Sequence, residues 1–206
     1  MSETKESFFL VKTDTENPID LSKTFSKLSP LIIEIGSGKG EFISQYSLAH
    51  PEWNFIGFEL KKKRIISTIK KLDITLNPNV RLVNKAVDCD IERYFPPECI
   101  FRIFIQHPDP WPKRKHFPRR LIQHSLLNVC WKLLGLNGEI HISTDNKAYA
   151  EWTVKHFSQR DDFISIYPNV IERVNPDPNH VQTWYEIEQR RLGYEPCFMA
   201  YRKVVR

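Results

Sequence analysis

The chain is poor in the features that would make it a metal, secreted or membrane protein. Its four cysteines (Cys89, Cys99, Cys130, Cys197) show neither C-x-x-C spacing nor clustering. Neither a zinc site nor a disulfide framework is indicated, and a reducing cytoplasm is the expected setting. The seven histidines form no metal-ligand spacing, so no metal is expected. No apolar run approaches the roughly 18 residues that cross a bilayer. The stretch from Met1 to Glu6 has no apolar segment of the signal-peptide kind, so export and membrane insertion are not expected. There is no internal repeat, low-complexity tract or interdomain linker. What remains is an ordinary globular composition in 206 residues, enough for one domain with a sizeable core.

Charge is concentrated in one place. The net formal charge is +5, and Lys113-Arg114-Lys115-His116-Phe117-Pro118-Arg119-Arg120 holds five positive residues and no acid. Outside that octet the charges cancel. Just before it, Ile100, Phe101, Ile103, Phe104 and Ile105 make the kind of short apolar run that forms a buried parallel strand. The chain then reads His107-Pro108-Asp109-Pro110-Trp111-Pro112, where the prolines stop the strand and stiffen the loop. A strand-end acid beside a dense basic patch points to chemistry on a polyanion; a solvated charge run next to a turn is the plainer alternative.

Along the chain, residues 1–30 show no sustained periodicity and read as an arm or loosely packed lead-in. Residues 31–206 read as one α/β domain. The expected strands are Leu31–Ile35, Trp53–Phe58, Val80–Val83, Ile100–Ile105, Glu139–Ser143, Phe163–Tyr167 and Cys197–Arg202. The expected helices run from about Glu41 to Ala49, Lys61 to Leu76, Ile91 to Phe95, Arg119 to Leu134, Lys147 to Phe157 and Trp184 to Leu192. Gly135 and Gly138 signal an end and a turn, and Pro168–His180 a loop. Such alternation means right-handed crossovers and a mostly parallel sheet covered on both faces.

Strand one leads into Gly36-Ser37-Gly38-Lys39-Gly40. Glycines at a strand-to-helix turn allow a ligand close to free backbone N–H groups. Glu34 is a carboxylate inside a strand otherwise made of Leu and Ile, a costly placement unless a cation or a partner such as Lys39 relieves it. Glu59 ends the second strand about twenty residues past the glycines, where an acid can accept both hydroxyls of a ribose; a strand-end surface acid is the alternative. An acid-rich pocket suits S-adenosylmethionine, which carries a sulfonium cation and no phosphate, better than NAD.

With these residues in place, the sequence resembles the tRNA (guanine-N7)-methyltransferase family in its single-chain bacterial form. The matching elements are Glu34 to Gly40, Gly57-Phe58-Glu59, and Pro108-Asp109-Pro110-Trp111-Pro112-Lys113 with His116 and Arg119-Arg120-Leu121. Thr144-Asp145 with Tyr149 and Trp152, and Thr183-Trp184-Tyr185-Glu186 with Gly193, follow in order. The resemblance covers about residues 31–202. It implies a Rossmann-like class I S-adenosylmethionine-dependent fold, a seven-stranded mostly parallel sheet with an antiparallel last strand. It also implies methylation of a guanosine N7 in the tRNA variable loop. Glu34, Gly36, Gly38, Glu59 and Asp109 would then line the cofactor site, and Lys113, Asp145 and Thr183, Trp184, Tyr185 and Glu186 would bind the target nucleotide. Arg119 and Arg120 would join the tRNA contacts. Where the family usually has Asp-Ala or Asn-Ala this chain has Lys85-Ala86, so adenine recognition is expected from Asn84, Lys85-Ala86, Asp88 or backbone.

Guanine N7 has an in-plane lone pair and needs no deprotonation, so catalysis is positioning and electrostatics. Asp109, held between Pro108 and Pro110, is the expected catalytic carboxylate, favouring the positive charge spread through the transition state. Asp145 could accept from guanine N1–H and N2–H2, or merely cap a helix; Thr183 and Glu186 have capping-box spacing. Trp111 and Trp184 are candidates for base stacking or for packing, and Lys61-Lys62-Lys63-Arg64 for a phosphate track or a solvated helix start. The competing functions are an amino-methyltransferase, against which Trp111 counts, and a non-catalytic tRNA-binding protein. Nothing in the sequence separates a monomer from a homodimer.

Overall fold

The computed structural model describes residues 3–13 and 17–204. Residues 1–2 and 14–16 of the expected arm, and 205–206 of the expected domain, lie outside the described residues. The central strand, β1 (Leu31–Ile35), is buried at all five positions. Its neighbours are β2 (Asn54–Phe58), β3 (Val80–Val83), β4 (Ile100–Gln106), β5 (Leu134–Thr144), β6 (Phe163–Ser165) and β7 (Cys197–Lys203). They form one sheet in the order β3-β2-β1-β4-β5-β7-β6. The first five strands pair in parallel, and β7 runs antiparallel to both β5 and β6. Chain direction across the sheet reverses between β1 and β4, the place where open α/β sheets open a ligand crevice at the strands' carboxyl ends.

Side-chain alternation along the strands explains why both faces are apolar. Ile32, Phe55, Val80, Leu82 and Phe104 pack with Phe42, Ile43 and Tyr46 of α3 (Glu41–Ala49) and Ile65 and Ile69 of α4 (Lys62–Lys71). On the other face Ile33, Ile35, Ile103 and Ile105 meet Leu126, Leu127 and Cys130 of α5 (His124–Leu133) and Tyr149 and Phe157 of α6 (Lys147–Ser158). The last helix, α7 (Trp184–Arg191), follows the Pro/Asn/Asp-rich loop. A buried acid stitches the antiparallel strand on: Glu139 of β5 is in register with Arg102 of β4 and Arg202 of β7 and bridges both, at 2.9 and 2.8 Å. Among the described residues, no helix is long and apolar enough to cross a membrane.

Four elements differ from expectation. The lead-in is packed rather than loose. α1 (Glu3–Phe9) buries Phe9 against the sheet edge, Val11 N donates to Leu82 O, and α2 (Leu21–Thr24) is capped by Asp20. Its apolar residues are too few to show a period, yet Phe8 and Phe25 sandwich the Arg81 guanidinium at 4.2 and 5.2 Å. α4 stops at Lys71 because the Asp73 carboxylate accepts from Thr75 N and so competes with the helix. The basic octet is not the start of α5: Arg114–Arg119 form a 3-10 turn containing Pro118, and Arg120 is extended. Gly135–Gly138 form a bulge within β5 rather than a turn before it; the register jumps from Ile100 opposite Leu134 to Arg102 opposite Glu139.

Candidate active site

The glycine turn sits at the carboxyl end of β1. Gly36 N and Ser37 N both donate to Phe58 O, tying the turn to β2. Gly36, Gly38 and Gly40 all adopt positive φ, from 57° to 79°, which L side chains rarely tolerate. A Cβ on Gly40 would stand 2.3 Å from Thr68 Cγ2, so α3 and α4 approach here only because position 40 is bare. A Cβ on Gly36 would meet nothing, since that side faces the cleft.

Both acids expected near the turn are there. Glu34 is 3 % exposed; one oxygen accepts from Gln106 Nε2 at 3.3 Å and the other, Oε2, is buried without a hydrogen-bond partner among the described residues. Lys39 does not neutralise it, lying instead over the Trp184 ring at 5.1 Å. Burial, with Glu41 adding like charge, pushes the Glu34 carboxyl up to about 8. Such a shift favours the protonated acid near neutral pH, and a cation placed beside it would favour the charged form. Glu59 is also buried and lines the cleft, where its carboxylate accepts from Gly38 N at 3.1 Å and Lys61 N at 2.7 Å and faces Arg64 at 3.5 Å.

The end of β3 divides its labour. Asn84 Nδ2 donates to the Glu59 and Leu60 carbonyls, fastening β3 to β2, and Asp88 caps the 3-10 turn Cys89–Tyr94. Asn84 therefore spends its Nδ2 as a brace between β3 and β2. The Lys85 ammonium is drawn to Tyr94 OH at 2.9 Å, leaving Lys85, Ala86 and Val87 as one wall of the cleft.

Asp109 hangs over the opening. Two joined hollows, of about 460 and 340 Å³, share Gly36, Arg64, Gln106, His107 and Asp109 as a common wall. The first runs along Phe58, Glu59 and Ala86 toward Trp111 and Arg119. The second runs past Glu34 and Ser37 to Thr183, Trp184 and Tyr185. The glycine turn and Asp109 thus stand on one crevice.

The residues expected to meet substrate separate into two groups. Lys113 and Arg119 are exposed, with Arg119 above the Trp111 ring at 5.2 Å. Trp184 is 58 % exposed and Tyr185 is exposed beside it. Tyr185 OH donates to Asp145 Oδ2 at 3.2 Å. Asp145 does not cap α6; Asn146 does that through Tyr149 N, and Asp145 is bound instead to Tyr185, which lines the second hollow. Arg120 and Glu186 are corrections. Arg120 is 4 % exposed, its Nε donates to Pro110 O at 2.9 Å, and its guanidinium packs on Phe117 and Trp152, so it holds the Asp109 loop from below. Glu186 is 1 % exposed, between His180 and Arg190. Thr183 is the cap of α7, accepting from Glu186 N.

Gln106 and His107 line the crevice without having been expected as site residues, and Arg64 was expected only as part of a phosphate track or a solvated helix start. For the first two the signal was present in their place at the end of β4, directly before Asp109. For Arg64 the charge run was the only local signal, since only the fold brings α4 to the cleft. Among the described residues no cluster of His, Cys, Asp and Glu could hold a metal ion.

Comparison with known proteins agrees with this geometry. The model of a family described as "Putative methyltransferase" matches residues 28–197. The chain is 38 % identical over 165 residues to a tRNA (guanine-N(7)-)-methyltransferase of Oceanobacillus iheyensis, covering 80 % of this chain and 76 % of that one. To one of Bacillus subtilis it is 33 % identical over 189 residues, covering 89 % and 87 %. Among solved structures the 16S rRNA methyltransferase KamB superposes with a TM-score of 0.66 at 11 % identity over 96 % of this chain and 99 % of that one, a likeness of fold. Relatives this similar over most of both chains place the protein in the tRNA (guanine-N(7)-)-methyltransferase family.

Proposed function

We propose that the protein transfers a methyl group from S-adenosylmethionine to N7 of a guanosine in the variable loop of tRNA, in the cytoplasm, with residues 31–206 as the methyltransferase domain. Bound in the crevice, S-adenosylmethionine supplies a sulfonium methyl that the N7 lone pair captures as the carbon–sulfur electrons return to sulfur, with no proton moved. The protein's tasks are to seat two cationic or polar partners and to align them. The unpaired Glu34 Oε2 and the open side of Gly36 fit a cationic nucleoside on the β1 side. Glu59 Oε1, which accepts only from Lys61 N, keeps a lone pair for a ribose hydroxyl, and the Lys85–Val87 wall offers backbone to the adenine. Asp109, braced by Arg120 through Pro110 O, supplies fixed negative charge where positive charge spreads. Asp145 and Tyr185 read the guanine edge, while Lys113 and Arg119 seat phosphates.

The observation that carries this reading is the shared wall: Asp109 belongs to both hollows, one lined by Glu59 and the other running from Glu34 to exposed Trp184 and Tyr185. The test is to incubate bulk tRNA with labelled S-adenosylmethionine and identify the labelled nucleoside and its loop. Label in 7-methylguanosine of the variable loop is expected. N6-methyladenosine, or no label with retained tRNA binding, would refute it. Asp109→Ala should lower turnover by at least about 100-fold with tRNA affinity kept; full activity would remove Asp109 from the chemistry.

A further inference from the structure

His107 is the least comfortable residue in the crevice. Its backbone N donates to Ser143 O at 2.9 Å, closing the β4–β5 ladder, and its φ of 47° then turns the chain toward Asp109. A non-glycine residue in that region persists only where its surroundings impose it. The side chain is 5 % exposed, and among the described residues neither ring nitrogen has a hydrogen-bond partner, an arrangement that a buried polar group adopts for a reason. Nδ1 stands 3.6 Å from Asp145 Oδ1, and the ring leans on Tyr185 at 5.0 Å. Tyr185 OH holds the other oxygen, Oδ2.

We infer that His107 is a positioning residue for base recognition: with Tyr185 it clamps the two oxygens of Asp145 and so ties the orientation of the guanine-reading carboxylate to the loop that carries Asp109. The inference rests on the proposed reading of Asp145. A carboxylate that must meet N1–H and N2–H2 together has to present both oxygens in the plane of the base. Partners on opposite oxygens fix that rotation, which a free aspartate leaves loose. Nδ1 closes to hydrogen-bond length as a base seats, because contacts in a ligand-free site are commonly long. Because His107 is two residues from Asp109, recognition of the base and alignment of the methyl-transfer loop become one event.

A double-mutant cycle tests this. His107→Phe keeps the ring against Tyr185 and removes the nitrogens. It should lower kcat/KM for tRNA about tenfold, chiefly through KM, in the otherwise unchanged protein. In an Asp145→Ala background it should change kcat/KM by less than about twofold. An equal loss in both backgrounds would show a merely structural role and overturn the inference, as would an Asp145→Ala protein with unchanged kcat/KM. If His107→Phe lowers the melting temperature too far for assay, Tyr185→Phe, which removes the contact to Oδ2, takes its place in the cycle: the same loss is expected, and an equal loss in both backgrounds again overturns the inference. Wild-type protein that forms no 7-methylguanosine would instead refute the proposed function, a separate result.

Discussion

Replacing Glu34 by glutamine is the sharpest probe of the acid at the heart of the sheet. Glu34 lies in β1 in register with Gly57 and Phe104, with one oxygen on Gln106 and the other unpartnered. Its carboxyl is pushed from the ordinary glutamate value of 4.5 to about 8, first by burial and then by the like charge of Glu41. The folded protein therefore keeps a proton that the unfolded chain releases. Stability from this group is fully present below about pH 4.5, falls by about 1.4 kcal/mol per pH unit as pH rises toward 8, and levels off above. The whole interval amounts to at most about 5 kcal/mol, and relaxation around the charge brings it to about 3. Glutamine mimics the protonated acid at every pH, so the difference between the two proteins cancels all other titrating groups. Urea unfolding should find them within about 1 kcal/mol of each other at pH 5 and Glu34→Gln more stable by about 3 kcal/mol at pH 8.5. Affinity for S-adenosylmethionine should move oppositely: the wild type gains with pH up to about 8 as the carboxylate ionises to meet the cation, and Glu34→Gln does not. Parallel stability curves for the two proteins would refute the buried-acid reasoning.

Two further outcomes follow from neighbouring residues that look alike in sequence. Arg119→Ala should flatten the dependence of log affinity for tRNA on log salt by about one unit with the melting temperature unchanged, since an exposed cation is lost. Arg120→Ala should leave that slope alone and destabilise the fold by about 2–3 kcal/mol, because the Pro110 carbonyl loses its donor and Phe117 and Trp152 lose their packing. Filter binding across a salt series with parallel thermal melts distinguishes them, and interchanged results would reverse the two assignments. Gly40→Ala should destabilise by at least about 2 kcal/mol through the contact with Thr68, whereas Gly36→Ala, strained but sterically open, should lose only about 1–2 kcal/mol and bind S-adenosylmethionine more weakly. Equal melting temperatures would show that α3 and α4 yield at Thr68.

Local pattern determined the frame. Strands β1 and β3 and helix α3 begin and end where alternation, apolar runs and glycines place them, because short-range sterics and backbone hydrogen bonding are written residue by residue. The same is true of the acids at strand ends: a parallel strand of known direction sends its last residues to one edge of the sheet, so Glu34, Glu59 and Asp109 could be assigned to one crevice before it was seen. Tertiary structure decided what each side chain does there. Arg119 and Arg120 carry the same charge one residue apart, and only the 3-10 turn that ends at Arg119 turns one to solvent and the other under the Asp109 loop. Asn84 became a brace because β2 ends beside it, and Glu186 a buried anchor because His180 folds back onto it. Glu34 meets Gln106 across 72 residues of chain. Partners that distant leave no local periodicity, so burial and pairing, which set charge state and role, were settled only when the sheet assembled.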